Sequence, residues 1–142
     1  MRGRTVRVNV LLGIVWVASM IPVSAHHSHG NYGPDWTPLQ GTVTEVHYLV
    51  PHSWIYLEVK DAKGELVTWA MEAAAAPSLE RVKIGRNVVR PGDLVKATCR
   101  TLRDGTAGCL LGTVTPLHGD TTRGHGVERN WDADENVNNP AP

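Results

Sequence analysis

Three histidines stand within four positions, at His26, His27 and His29. Imidazole nitrogens suit Cu(II), Zn(II) and Ni(II), so the cluster is a candidate metal site. A chain beginning at His26 would add a free α-amine to the set. The competing reading is a flexible, histidine-rich start that binds metal adventitiously.

A second group lies further on, at His52, Trp54, Tyr56 and Glu72. Two aromatic rings with a carboxylate and an imidazole suit a small ligand or a metal ion. His52 therefore belongs to both candidate sites, and the metal set is His26, His27, His29 and His52. An N-terminal histidine with one further histidine is the ligand set of a copper histidine brace. His47, His52, His118 and His125 are the positions able to supply the further ligand. The alternative for the aromatic group is plain packing under an arm or helix, with Glu72 only accepting hydrogen bonds.

Catalytic motifs are missing. There is no Gly-x-Ser-x-Gly, no phosphate loop, no His-Glu-x-x-His and no Cys-x-x-Cys. His52 and Glu72 as an acid–base pair are two residue types without a motif around them.

These residues need elements to hold them. The first 25 residues read as a secretory leader. Arg2, Arg4 and Arg7 precede an apolar run from Val8 to Val23, and small residues follow at Ser24 and Ala25. A retained membrane anchor is the alternative, but the run is short for a span. Cleavage after Ala25 leaves His26 first. It takes Lys+Arg from 14 to 11 against 14 Asp+Glu, a net charge of −3. That balance argues against a general nucleic-acid binder, which needs clustered cations. Cys99 and Cys109 are the two cysteines, and an even count in an exported chain favours a disulfide over two free thiols.

Residues 26–37 are rich in His, Gly and Pro and are expected to form a mobile arm. The folded domain is expected over 38–116. Residues 117–142 have little apolar periodicity and are expected to form a disordered tail, with Trp131 a solvated residue in it. "LQGTVTEVHYLV" (39–50) reads as a long first strand that bends at Gly41. "SWIYLEVK" (53–60) alternates in hydrophobicity. "DAKG" (61–64) fits a hairpin loop with Gly64 left-handed. That loop sets Val59 opposite Val67, Leu57 opposite Trp69, Ile55 opposite Met71 and Trp54 opposite Glu72. This register gathers six apolar side chains on one face and places His52, Trp54, Tyr56 and Glu72 on the other.

Pro77 suits the start of a short helix, with Leu79 and Val82 on one side and Gly85 as its stop. "LVKATCRT" (94–101) and "AGCLLGTVT" (107–115) are the last strands. A "RDG" loop between them would place Cys99 directly opposite Cys109. The order β-β-β-α-β-β predicts a mostly β fold, a small five-stranded OB-like barrel with one short helix. An open antiparallel sheet under one helix is the alternative.

The stretches "AHHS" (25–28), "GTVTEV" (41–46), "PHSWIYLEVKDAKG" (51–64), "TWAMEAAAAPSL" (68–79) and "RPGD" (90–93) occur in this order. They resemble a family of short exported bacterial proteins classed as a domain of unknown function. The resemblance covers the mature chain apart from the tail. It implies a periplasmic, single-domain β protein and no established activity. Val50 stands where the family often has Asn, and Met71 where it often has Phe.

The expected function is a noncatalytic periplasmic or secreted binding protein, with copper or another transition metal as the candidate ligand. The expected partners are a small ligand, a metal or a protein, with no stable membrane anchor after cleavage. The alternative is an accessory subunit docking its aromatic face on an exported or membrane protein. A copper-dependent redox enzyme is the remote alternative.

Overall fold

The computed structural model describes residues 29–132. The expected leader, with His26 and His27, lies outside the described residues, as does the end of the expected tail from 133.

A 3₁₀ turn at His29–Asn31 leads into β1 (Tyr32–His47). Next come β2 (Ser53–Lys60), β3 (Leu66–Ala73) and the short helix α1 (Ala76–Arg81). Then follow β4 (Leu94–Leu102), β5 (Gly108–Pro116) and the two-residue β6 (Arg129–Asn130). The order β-β-β-α-β-β is the expected one, with a sixth strand added.

β1 pairs antiparallel with both β2 and β4, β2 with β3, and β4 with β5. A short parallel pairing of β3 with β5 closes these five strands into a ring. β1 is long because it serves two neighbours in turn. It pairs with β4 from Tyr32 to Thr42, then with β2 from Thr42 to His47. Gly41 sits at this handover. A Cβ there would stand 2.1 Å from the carbonyl oxygen of Glu58, so the close approach requires glycine.

The β2–β3 hairpin has the expected register: Val59 faces Val67, Leu57 faces Trp69, Ile55 faces Met71 and Trp54 faces Glu72. Gly64 is left-handed at φ 83°. Asp61 braces the turn by accepting the amides of Lys63 and Glu65. Ile55, Leu57 and Met71 are fully buried with Val43, Val95, Leu111 and Val114, and Leu79 of α1 packs on the same core.

Several expectations are corrected. The arm ends earlier than residue 37, because Tyr32 to Thr37 already belong to β1 and pair with β4. The β4–β5 loop is wider than a three-residue turn. Thr101 faces Cys109 and Cys99 faces Leu111, so the cysteines are diagonal rather than opposite. They still form a disulfide, across a Cα separation of 5.7 Å. Both lie on the inner face and are buried, so the bridge is reachable along the diagonal.

α1 ends at Arg81, and the left-handed residue that stops it is Lys83 rather than Gly85. Lys83 takes φ 62°, and the amides of Lys83 and Ile84 donate to the carbonyls of Glu80 and Leu79. That is the left-handed helix end usually given to glycine. Val82 is turned outward, and Ile84 takes the buried place.

Residues 117–132 are folded rather than tail-like. Arg123 pairs with buried Asp93. Trp131 is 1% exposed and is the largest fully buried side chain. Its amide donates to Gly112 at 2.7 Å and its carbonyl accepts from Ala74 at 2.8 Å. The segment thus fills the space where β3 and β5 part. Sparse apolar content hid this, because one large indole supplies the burial that a periodic strand would spread over several residues.

Candidate functional site

Ala73 ends β3, Ala74 and Ala75 join it to α1, and these side chains are too small to fill the space beside them. A pocket of about 460 Å³ results, lined by Tyr32, His52, Glu72, these alanines, Leu110 and Asp132 among others. β2 and its approach supply His52, β3 supplies Glu72, and the start of β1 supplies Tyr32.

Glu72 is the centre of the polar wall. The Tyr32 hydroxyl donates to Oε2 at 2.5 Å. His52 Nδ1 stands 3.2 Å from Oε1. Burial, and then the Glu72 hydrogen bond and charge, push the Tyr32 hydroxyl well above its ordinary pKa. Tyr32 therefore stays a neutral donor through the physiological range, and Glu72 accepts as a carboxylate.

Tyr32 is held in place by Arg103. The Arg103 amide donates to the carbonyl of Asn31 at 2.9 Å, and its Nε donates to that of Tyr32 at 2.8 Å. Asn31 and the first residue of β1 are thereby fastened at the pocket rim.

Of the expected outer group, His52 and Glu72 come together in the pocket. Trp54 lies in register between Glu72 on β3 and His47 on β1, but does not line the pocket. Tyr56 is further along, its ring 5.2 Å from that of His47. His47 is also 2.8 Å from Glu45 and stands apart from the pocket.

His118 and His125 are likewise separate. Their rings are 6.1 Å apart, and each Nδ1 accepts a backbone amide, from Asp120 and Gly119 respectively. An accepting Nδ1 puts the ring proton on Nε2, so neither ring offers a ligand nitrogen in this arrangement. Their role here is to shape the loop.

A family model described as a family of unknown function, DUF6152, matches residues 15–111. The chain belongs to this family. The match takes in Tyr32, His52, Glu72 and both cysteines of the DUF6152 chain, and ends in β5 before Trp131. No curated protein and no solved structure matches it.

Sequence reasoning passed over Tyr32, Asp132 and the alanine wall. Tyr32 is forty positions from Glu72, and no local pattern links them. The only sequence signal was an aromatic residue just downstream of the histidine cluster. Among the described residues, no group of three or more His, Cys, Asp or Glu is placed to hold a metal ion. No helix among the described residues is long and apolar enough to cross a membrane.

Proposed function

We propose that this is an exported binding protein whose pocket takes a transition-metal ion, with copper the first candidate. The observation that carries the reading is the junction of two features at one place. His52 stands against Glu72 in the pocket, and Asn31 and Tyr32, which follow the histidine cluster directly, form its rim. His29 is two positions before Asn31 and His26 is five. Each histidine of the cluster is thus within five positions of a residue that lines the same pocket as His52.

In this reading the His52 ring is the fixed ligand and Glu72 orients it. The mature N-terminus supplies the rest: the amine and imidazole of His26 with the imidazoles of His27 and His29. Imidazole and amine nitrogens together favour Cu(II) over harder ions. The leader-like start and the disulfide support export, since disulfides persist in oxidising compartments.

Calorimetric titration of the chain beginning at His26 with Cu(II) tests the reading. One ion per chain is expected, with at least tenfold weaker binding in His52→Ala and in a chain with one extra residue before His26. Equal affinity in the parent and His52→Ala chains would refute the pocket as the site.

A further inference from the structure

The connection between β1 and β2 begins with Tyr48, Leu49 and Val50, and three contacts fasten it to α1 and the segment after it. The Tyr48 hydroxyl donates to the carbonyl of Ile84. The Arg86 guanidinium lies over the Tyr48 ring, 4.9 Å from its centroid. The amide of Ala76 donates to the carbonyl of Leu49 at 2.9 Å.

One surface results. Leu49 is 51% exposed, Val50 70% and Val82 37%. Arg81, Lys83, Arg86 and Arg90 are exposed along the same segment, and no acidic residue occurs from Arg81 to Gly92. Glu80, at the end of α1, is the opposing charge that acts on Tyr48. Asp93 is taken by Arg123. Arg81, Lys83 and Arg86 thus accompany the exposed aliphatic residues, while Arg90 begins the turn that hydrogen-bonds Val43 of β1.

We propose that this tip docks on the surface of an anionic phospholipid bilayer, with Leu49, Val50 and Val82 entering the headgroup region and Arg81, Lys83 and Arg86 contacting lipid phosphates. The inference does not depend on the metal reading. Apolar side chains ringed by Arg and Lys are the pattern of interfacial adsorption, in which both contributions add. The patch fits a protein partner less well. It holds three aliphatic residues and no exposed aromatic anchor, whereas a stable protein interface needs about 800 Å² on each side around a well-packed apolar centre. Cations with apolar tips at one loop make a peripheral contact, reversible by salt, not a span.

An environment-sensitive dye at Val50→Cys, on the full chain as recovered from expressing cells, reports this contact. The same dye at Lys63→Cys, in the β2–β3 turn at the far end of β2, is the control. Vesicles of equal phosphatidylglycerol and phosphatidylcholine should shift the emission at position 50 to the blue, with no shift at position 63. Phosphatidylcholine alone, or 0.5 M salt, should abolish the shift. Arg81→Glu with Lys83→Asn should weaken the response at least fivefold; asparagine tolerates the positive φ at 83. No shift on anionic vesicles, as an acidic protein partner would produce, overturns the proposal. So does a shift that the paired substitutions leave unchanged.

Discussion

The hydroxyl of Tyr32 and the carboxylate of Glu72 lie 2.5 Å apart across forty positions of sequence, and this contact fastens the start of β1 to β3 across the pocket. Two strands that are not neighbours in the ring are thereby linked. The phenol is a neutral donor and the carboxylate a charged acceptor, a pairing stronger than one between two neutral groups. Tyr32→Phe should cost about 1–2 kcal/mol in urea unfolding at neutral pH, since it leaves a half-buried carboxylate with one donor fewer. A loss within error of zero would count against the contact.

The same group sets an alkaline limit. Its pKa is raised in the folded chain, so its contribution is fully present below the ordinary tyrosine value of 10.0 and is lost as pH rises toward the folded value. Tyr48 is raised as well, first by burial, and acts with the same sign. Stability should therefore fall above about pH 10. Tyr32→Phe should flatten that fall without abolishing it. Denaturation midpoints between pH 8 and 11 measure the slopes; equal slopes would be the contrary result.

Trp131 should matter as a core residue. Trp131→Ala should destabilise the fold by about 3–5 kcal/mol, the range for emptying a large buried site. Chemical denaturation followed by far-ultraviolet circular dichroism gives the figure. A solvated tail residue would change stability by no more than about 0.5 kcal/mol.

Gly41 should tolerate no side chain. Gly41→Ala puts a methyl group against the Glu58 carbonyl, so β1 and β2 must separate where β1 changes partners. The expected cost is about 1–3 kcal/mol, as for overpacking. Gly64→Ala, whose Cβ meets nothing within 4 Å, should carry only the strain of its positive φ. Comparing the two by thermal unfolding separates contact from conformation; Gly64→Ala proving the costlier change would contradict the argument.

The alanine wall gives a prediction for the pocket itself. Ala75 lines it and is half-buried, so Ala75→Leu should occupy space there while leaving the core intact. Copper affinity should drop at least tenfold, with the urea midpoint little changed. Unchanged affinity would place the metal elsewhere.

Much of the β2–β3 hairpin was legible because its information is local. Alternating side chains at Ile55, Leu57 and Val59, with Gly64 in the turn, admit one register that buries a single face. His52 and Glu72 came with it, since the register also decides the outer face. The second hairpin was misread because "RDGTA" admits more than one loop length. The choice was made by Cys109, which faces Thr101 on β4 while pairing with Met71 on β3. Such a strand answers to two neighbours, and a turn motif speaks for only one. Lys83 was missed as the helix end because a glycine two residues later has the better local preference.

Periodicity and turn chemistry in the chain settle the mostly β character, the strand order and the β2–β3 face, because each depends on residues a few positions apart. Tertiary structure alone decides that Tyr32 reaches Glu72, that Trp131 fills the space between β3 and β5, and that Ala73–Ala75 border a pocket. Those contacts exist only after the parallel β3–β5 pairing closes the ring, and ring closure is a property of all five strands together rather than of any segment.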